Sequence, residues 1–156
     1  MTVGEIMHRG VMTVQRSTSL QEVSSFFIEH GITGSPVVDE QGIPIGVISM
    51  SDLTAHAAGL DKPKDGGYLT SLWHDDPPHA HELTFAQDAT AGDVMTEFLI
   101  RVESTAEVRE LLDLMKTARL HRVFVTEEDR LVGIVTTLDL VLLLDRLLQE
   151  RSTAKN

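Results

Sequence analysis

The sequence predicts an α/β (α+β) fold built from two copies of one β-α-β-β-α unit, residues 1–58 and 89–150, with a loop insert over 59–88 and a tail over 151–156. Three observations predict it. A seven-residue phrase occurs twice, as Gly46-Val47-Ile48-Ser49-Met50-Ser51-Asp52 and as Gly133-Ile134-Val135-Thr136-Thr137-Leu138-Asp139. The likeness extends upstream at a constant spacing, Glu5-Ile6-Met7 against Asp93-Val94-Met95, with the copies 88 residues apart. Within each copy the apolar residues also change period, from the three-and-four spacing of a helix to short continuous runs of strand type.

Each element has its own local reason. Val11-Met12-Thr13-Val14 and Leu99-Ile100-Arg101-Val102 are the first short strands. Ser19-Leu20-Gln21-Glu22 has capping-box spacing, and Leu20, Val23 and Phe27 recur on one helical face until Gly31 ends it. Pro36-Val37-Val38 and Ile45-Gly46-Val47-Ile48 flank Glu40-Gln41-Gly42, a hairpin turn signal. The second copy repeats the plan with Ser104-Thr105-Ala106-Glu107 as cap, Val108, Leu111, Leu112 and Met115 as helix face, and strands over Val123–Thr126 and Leu131–Val135. One turn residue is missing there, in Glu127-Glu128-Asp129-Arg130. A second helix follows each phrase. The last one carries Leu138, Val141, Leu142, Leu144, Leu147 and Leu148 over a wide arc, which predicts an interface rather than a core helix.

Composition narrows the function. A net charge of -11 disfavours nucleic acid and anionic membranes, since phosphate backbones call for clustered Lys and Arg. A phosphate group would have to rest on local donors: histidine, arginine, backbone amides or a helix start. The longest apolar tract, Leu138–Leu148, is broken by Asp139 and Asp145, which argues against a membrane span. With no cysteine and no secretory pattern at Met1-Thr2-Val3-Gly4-Glu5, the chain reads as cytoplasmic. No cysteine nucleophile, Gly-x-Ser-x-Gly elbow, phosphate-cradling loop or His-Glu-x-x-His motif is present, so the sequence does not read as an enzyme. In the insert, His74, His79 and His81 with Asp75 and Asp76 have the ligand types of a divalent metal site, but their spacing matches no metal motif, and a solvated polar loop is the expectation.

The repeats resemble a CBS-domain pair, the regulatory module named after cystathionine β-synthase. The resemblance is carried by Thr13-Val14, Leu20–Glu29, Gly31-Ile32-Thr33-Gly34-Ser35-Pro36-Val37-Val38-Asp39, Val94-Met95-Thr96, Leu120-His121-Arg122-Val123-Phe124-Val125 and both copies of the seven-residue phrase, about four-fifths of the chain. It implies two repeats packed with pseudo-twofold symmetry and two clefts for adenine-containing ligands. It makes Asp52 and Asp139 acceptors for a ribose diol and Ser49 and Thr136 contacts near ribose or phosphate. Thr13 and Arg101, with the backbone of Ile32-Thr33-Gly34 and Leu120-His121-Arg122, are expected to border base or ribose; His30, Arg119 and Arg122 are the phosphate-donor candidates. Thr13 against Arg101, and Gly34-Ser35-Pro36 against Arg122-Val123-Phe124, imply clefts of unequal size and charge, with phosphate favoured beside the second repeat's arginines.

A competing structural reading makes each aspartate a helix-capping acid and each hydroxyl a strand residue. The resemblance favours a stand-alone, cytoplasmic, homodimeric sensor of AMP, ADP or ATP that regulates another protein, needs no cofactor and binds no metal. The alternatives are an S-adenosylmethionine site, a ligand-free dimerisation module and a metal-dependent enzyme centred on the insert.

Overall fold

The computed structural model describes residues 1–60, 83–97 and 99–153. The expected α+β architecture is present, with two small sheets and five described α-helices. The chain divides into two compact units, one of residues 12–99 and one of residues 1–11 together with 100–156. These units are not the sequence repeats. The first eleven residues belong with the second repeat, and the segment around Ala91–Thr96 packs on the first.

In the unit of residues 12–99, β2 (Val14–Gln15) pairs parallel with β3 (Gly34–Val38), which pairs antiparallel with β4 (Pro44–Ser49). Helix α1 (Leu20–His30) opens on the predicted capping box. Ser19 Oγ accepts from Glu22 N–H, while Glu22 accepts from Ser19 N–H and Oγ–H. Gly31 closes it in the left-handed conformation at φ 62. Leu20, Val23 and Phe27 form its buried face and meet Val37, Ile48 and Leu53 in one apolar cluster. Leu83 and Phe85, from the far end of the insert, pack against that cluster. Helix α2 (Met50–Ala57) follows β4 directly, and the short α3 (Ala91–Val94) leads to Thr96, which bridges Val47.

In the other unit the sheet order is β1 (His8–Arg9), β7 (Arg130–Thr136), β6 (Arg122–Glu127), β5 (Arg101–Glu103). His8 faces Ile134, the same pairing in repeat register as Thr96 with Val47. A 3-10 turn over Val3–Glu5 precedes β1 and is tied to the second repeat by Val3 N–H to Ala106 O and Gly4 N–H to Ser104 O, both 2.8 Å.

The glycine of the duplicated phrase is explained by these crossings rather than by a turn. A Cβ on Gly46 would lie 2.7 Å from Thr96 O, and one on Gly133 would lie 2.6 Å from Met7 Sδ and 3.0 Å from His8 O. Each glycine is the place where the other repeat's leading segment crosses the sheet.

Helix α4 (Val108–Ala118) corrects one expectation. Its N-cap is Glu107, without a side-chain cap bond, and not a cap built on Ser104. Ser104 is buried, and its N–H donates to Thr126 O at 2.9 Å, so its backbone continues the sheet and the helix cannot begin there. At the far end Arg119 takes the left-handed position that Gly31 holds in the first repeat, at φ 53. The shortened β6–β7 turn places Glu128 and Asp129 at φ 49 and φ 65, the two positive angles of a tight hairpin turn. Helix α5 (Thr137–Thr153) has no buried residue.

Candidate functional site

Each unit gathers its hydroxyl and aspartate at a strand-to-helix junction, and the local reason is the same in both. Where β4 ends, Ser49 is the N-cap of α2 and Asp52 its third residue. Asp52 Oδ2 accepts from Ser49 N–H and Oγ–H at 2.8 Å each, and Asp52 N–H donates back to Ser49 Oγ at 3.4 Å. Where β7 ends, Asp139 Oδ2 accepts from Thr136 N–H and Oγ1–H at 2.7 Å each, and Asp139 N–H donates to Thr136 Oγ1 at 3.4 Å. Both pairs are therefore capping boxes, which fixes the carboxylate at the mouth of the junction. Burial differs: Asp52 is 6% exposed, whereas Asp139 is half-buried.

The backbone segments expected to border a ligand come to the same places. Gly34 faces Ser49 in the β3–β4 ladder, and Met50 N–H donates to Thr33 O at 2.9 Å, which sets Ile32-Thr33-Gly34 beside the first cap. Thr13 is exposed at the start of β2; Met12 O next to it accepts from Ser35 Oγ–H at 2.9 Å, so Thr13 lies at the same sheet end. In the second repeat Arg122 faces Thr136, and Thr137 N–H donates to His121 O at 2.9 Å, with Thr137 Oγ1 donating to that carbonyl at 3.2 Å. Leu120 is buried beneath this segment. Arg122 Nε is buried and has no hydrogen-bond acceptor among the described residues, an uncommon condition for a guanidinium donor.

Three candidates are placed less simply. Arg101, opposite Phe124, pairs with Asp129 at 2.7 Å, and that aspartate sits in the β6–β7 turn, at the opposite end of the hairpin from Thr136. His30 is held against its own helix, with Nδ1 3.0 Å from Phe26 O and its ring 4.4 Å from that of Phe26. Arg119 is the exposed left-handed C-cap of α4. The insert histidines His74, His79 and His81 lie outside the described residues. Among the described residues no cluster of three or more His, Cys, Asp or Glu side chains is arranged to hold a metal ion.

The sequence reading missed a cavity of about 310 Å³ lined by Glu5, Ile6, Asp139, Leu142, Leu143 and Arg146. Four of these residues follow the i, i+3, i+4, i+7 rule from Asp139, a signal the sequence did contain. Glu5 and Ile6 arrive with the first eleven residues, which the linear spacing of the repeats does not foretell. Hydrogen bonds from the Thr2 backbone and then its side chain hold the Glu5 carboxyl below its ordinary value, and the Arg146 charge adds to this. The repeat-equivalent Asp93 is lowered in the same way, by the Thr90 backbone and side chain, with smaller help from Arg16 and His56.

Known proteins share this fold. The CBS domain profile matches residues 3–59 and 91–146. Hypoxic response protein 1 of Mycobacterium tuberculosis is 28% identical over 141 residues, covering 89% of this chain and 82% of that one. An uncharacterized Methanopyrus kandleri protein, MK0525, is 28% identical over 141 residues, covering 90% of this chain; the chain spans only 61% of that relative's length. The crystal structure of hypoxic response protein I with two coordinated zinc ions superposes with a TM-score of 0.63 at 28% identity, over 90% of this chain and 97% of that one. That of CBSX2 in complex with AMP gives 0.68 at 24% identity, over 93% and 97%, a likeness of fold. The same holds for the CBS domain pair of MJ0100 with 5-methylthioadenosine and S-adenosyl-L-methionine, at 0.63, 23%, 93% and 96%. Among the described residues no helix is long and apolar enough to cross a membrane.

Proposed function

Because the chain belongs to the CBS-domain family, we propose that it is a regulatory module that binds an adenine nucleotide of the AMP, ADP or ATP type at its hydroxyl–aspartate junctions and acts as a homodimer. One observation carries the reading: in both units a carboxylate is fixed by a capping box at a strand-to-helix junction, beside a three-residue backbone segment. At the second junction the capping and ligand roles are compatible, because the cap occupies Oδ2 of Asp139 and a carboxylate can accept more hydrogen bonds than a cap uses, enough for a ribose diol. Thr13, Ile32-Thr33-Gly34 and Ser49 would frame the ligand at one junction, and Leu120-His121-Arg122 and Thr136 at the other. The unmatched Arg122 donor is the strongest phosphate candidate, since an unpaired buried donor costs about 1–3 kcal/mol that an anion would recover. Arg101 joins only after leaving Asp129, an exposed ion pair worth at most about 1 kcal/mol; Arg119 and His30 are outer candidates.

The ligand would act by differential affinity for two arrangements of the chain, which shifts their populations toward the tighter-binding one. The function is thus regulatory rather than catalytic, exerted on another protein in the cytoplasm. The dimer rests on α5, whose Val141, Leu144 and Leu148 recur at three and four on one face, with Leu138 64% exposed and Leu148 55% exposed. A second copy of the same helix would cover such a stripe isologously.

Isothermal titration with AMP, ATP and S-adenosylmethionine tests the reading. Adenine-nucleotide binding that is lost in the Asp52→Ala, Asp139→Ala double variant supports it; binding untouched by that variant, or absent from the wild type, overturns it. S-adenosylmethionine binding in preference to every nucleotide would replace the ligand assignment, and MJ0100 supplies the structural precedent. Sedimentation of Leu144→Glu, Leu148→Glu against wild type tests the dimer, with dissociation expected.

A further inference from the structure

We propose that the second repeat carries a separate ligand site at the turn end of its β6–β7 hairpin, away from the hydroxyl–aspartate junction, and that this site takes a dibasic amino acid of the lysine class. The proposal does not depend on the nucleotide reading above, and either can fail without the other.

A cavity of about 570 Å³ opens there, within the range of roughly 300–1,000 Å³ that small-molecule sites occupy. Its lining sets three carboxylates, Glu103, Glu127 and Glu128, against one cation, Arg130, with Val132 as an apolar patch. The neighbouring Asp129 is already matched by Arg101 at 2.7 Å. By contrast, among the described residues none of Glu103, Glu127, Glu128 and Arg130 forms an ion pair within 4.0 Å. Thr126 Oγ1–H donates to Glu103 Oε1 at 2.8 Å, which fixes that carboxylate. A run of acids on a turn is ordinarily a solvated surface, but Ser104 lines the same cavity and is only 8% exposed. Its N–H donates to Thr126 O and its carbonyl accepts from Gly4 N–H, while its hydroxyl has no hydrogen-bond partner among the described residues. A hydroxyl in so buried a residue normally has one. It is not sealed in, since Arg122 Nε is the one fully enclosed side-chain polar atom without a partner among the described residues, so the Ser104 hydroxyl is open to a ligand in the cavity beside it.

The lining selects the chemistry of the ligand. Carboxylates outnumber the guanidinium, so an anion is disfavoured. Among the described residues no three His, Cys, Asp or Glu side chains are arranged to hold a metal ion, so these carboxylates do not converge on one point charge. Separated carboxylates around one cavity suit a ligand with separated ammonium groups, and Arg130 suits a carboxylate in a charge-assisted pair. A dibasic amino acid carries both, with a methylene chain for Val132 and ammonium donors for the Ser104 hydroxyl. The first repeat lacks this set: Gln15, Arg16 and Ile43 stand at the repeat positions of Glu103, Ser104 and Arg130. Asp39, at the position of Glu127, is taken up by its own turn, where its Oδ1 accepts from Gln41 N–H at 2.9 Å and Ile43 N–H at 2.8 Å.

The test is isothermal titration of L-lysine, L-ornithine and L-arginine into the full-length protein, with cadaverine as the probe that lacks the carboxylate and L-norleucine as the probe that lacks the second cation. At least one of the three dibasic amino acids should bind, about fivefold more tightly than either probe, as the loss of one exposed charge pair would give. Glu127→Gln, Glu128→Gln should weaken that amino acid about five- to tenfold, whereas Glu110→Gln, Glu150→Gln, which removes as much exposed charge outside the cavity, should leave it unchanged. Arg130→Gln should weaken the amino acid about fivefold without weakening cadaverine. Failure of all three amino acids to bind, cadaverine binding as tightly as the best of them, or equal weakening by the two pairs of glutamine substitutions overturns the proposal, whatever the nucleotide titrations show.

Discussion

The two units share one architecture but differ in how much of it local chemistry supports. In the unit of residues 12–99, glycine occupies the left-handed helix end at Gly31 and the turn at Gly42, a full capping box opens α1, and the carboxylate of Asp52 is buried. In the other unit the same positions are held by Arg119 and by the Glu128-Asp129 turn, the N-cap Glu107 makes no side-chain bond, and α5 has no fully buried residue. Backbone geometry was kept while the residues best suited to it were not. The lesson is that strand pairing on either side, Glu127 with Arg130, can hold a turn such as Glu128-Asp129 in a conformation its own residues disfavour. The unit so held is also the one that presents arginines, a charged cavity and a bare apolar helix.

The sharpest way to break the comparison is at the two crossing points. Gly46→Ala should destabilise by about 2 kcal/mol or more in urea unfolding, because its Cβ meets a backbone carbonyl at 2.7 Å. Gly133→Ala should cost about 1 kcal/mol, since its tightest neighbour is the flexible Met7 thioether. Equal losses would show that the crossings do not differ as described. At the caps, Asp52→Ala should lower stability by about 2 kcal/mol and Asp139→Ala by about 1, because only the first leaves Ser49 groups unmatched in a buried place. A reversed order would contradict the burial difference.

Smaller effects sharpen it. Arg119→Gly should stabilise by up to about 1 kcal/mol and Gly31→Ala should cost about 1, opposite signs at equivalent positions. The smallest expected effect is on pH. Glu5, Glu22 and Asp93 are all depressed by hydrogen bonds to their ionised forms, so each contributes stability above its ordinary value and loses it as pH falls through the depressed one. Thermal melts should therefore be level near neutrality and decline as pH drops below about 4.5, the ordinary value of the two glutamates. In Glu5→Gln, Asp93→Asn the decline should be shallower.

Much of this was legible without coordinates. Capping boxes, helix faces and hairpins depend on neighbours three or four residues apart, so Ser19-Glu22, Leu20-Val23-Phe27 and the Ser49-Asp52 and Thr136-Asp139 pairs could be read directly. The cap of α4 was misread because Ser104 has the right local company but is claimed by Thr126, 22 residues away. The i+7 relation of Asp139 to Arg146 was present in the sequence, but only the arrival of Glu5 turns that helix face into a cavity.

By itself, then, the sequence determined the duplicated unit, its order of elements and the paired carboxylates, because these follow from short-range spacing and backbone preference. Tertiary structure alone decided that residues 1–11 join the second repeat, and that a glycine with an ordinary strand conformation is required where each crossing occurs. It also decided that Arg101 is turned toward Asp129 while Arg122 keeps a buried donor unmatched. Those outcomes depend on which distant segments come within van der Waals or hydrogen-bond reach, and no local rule encodes that.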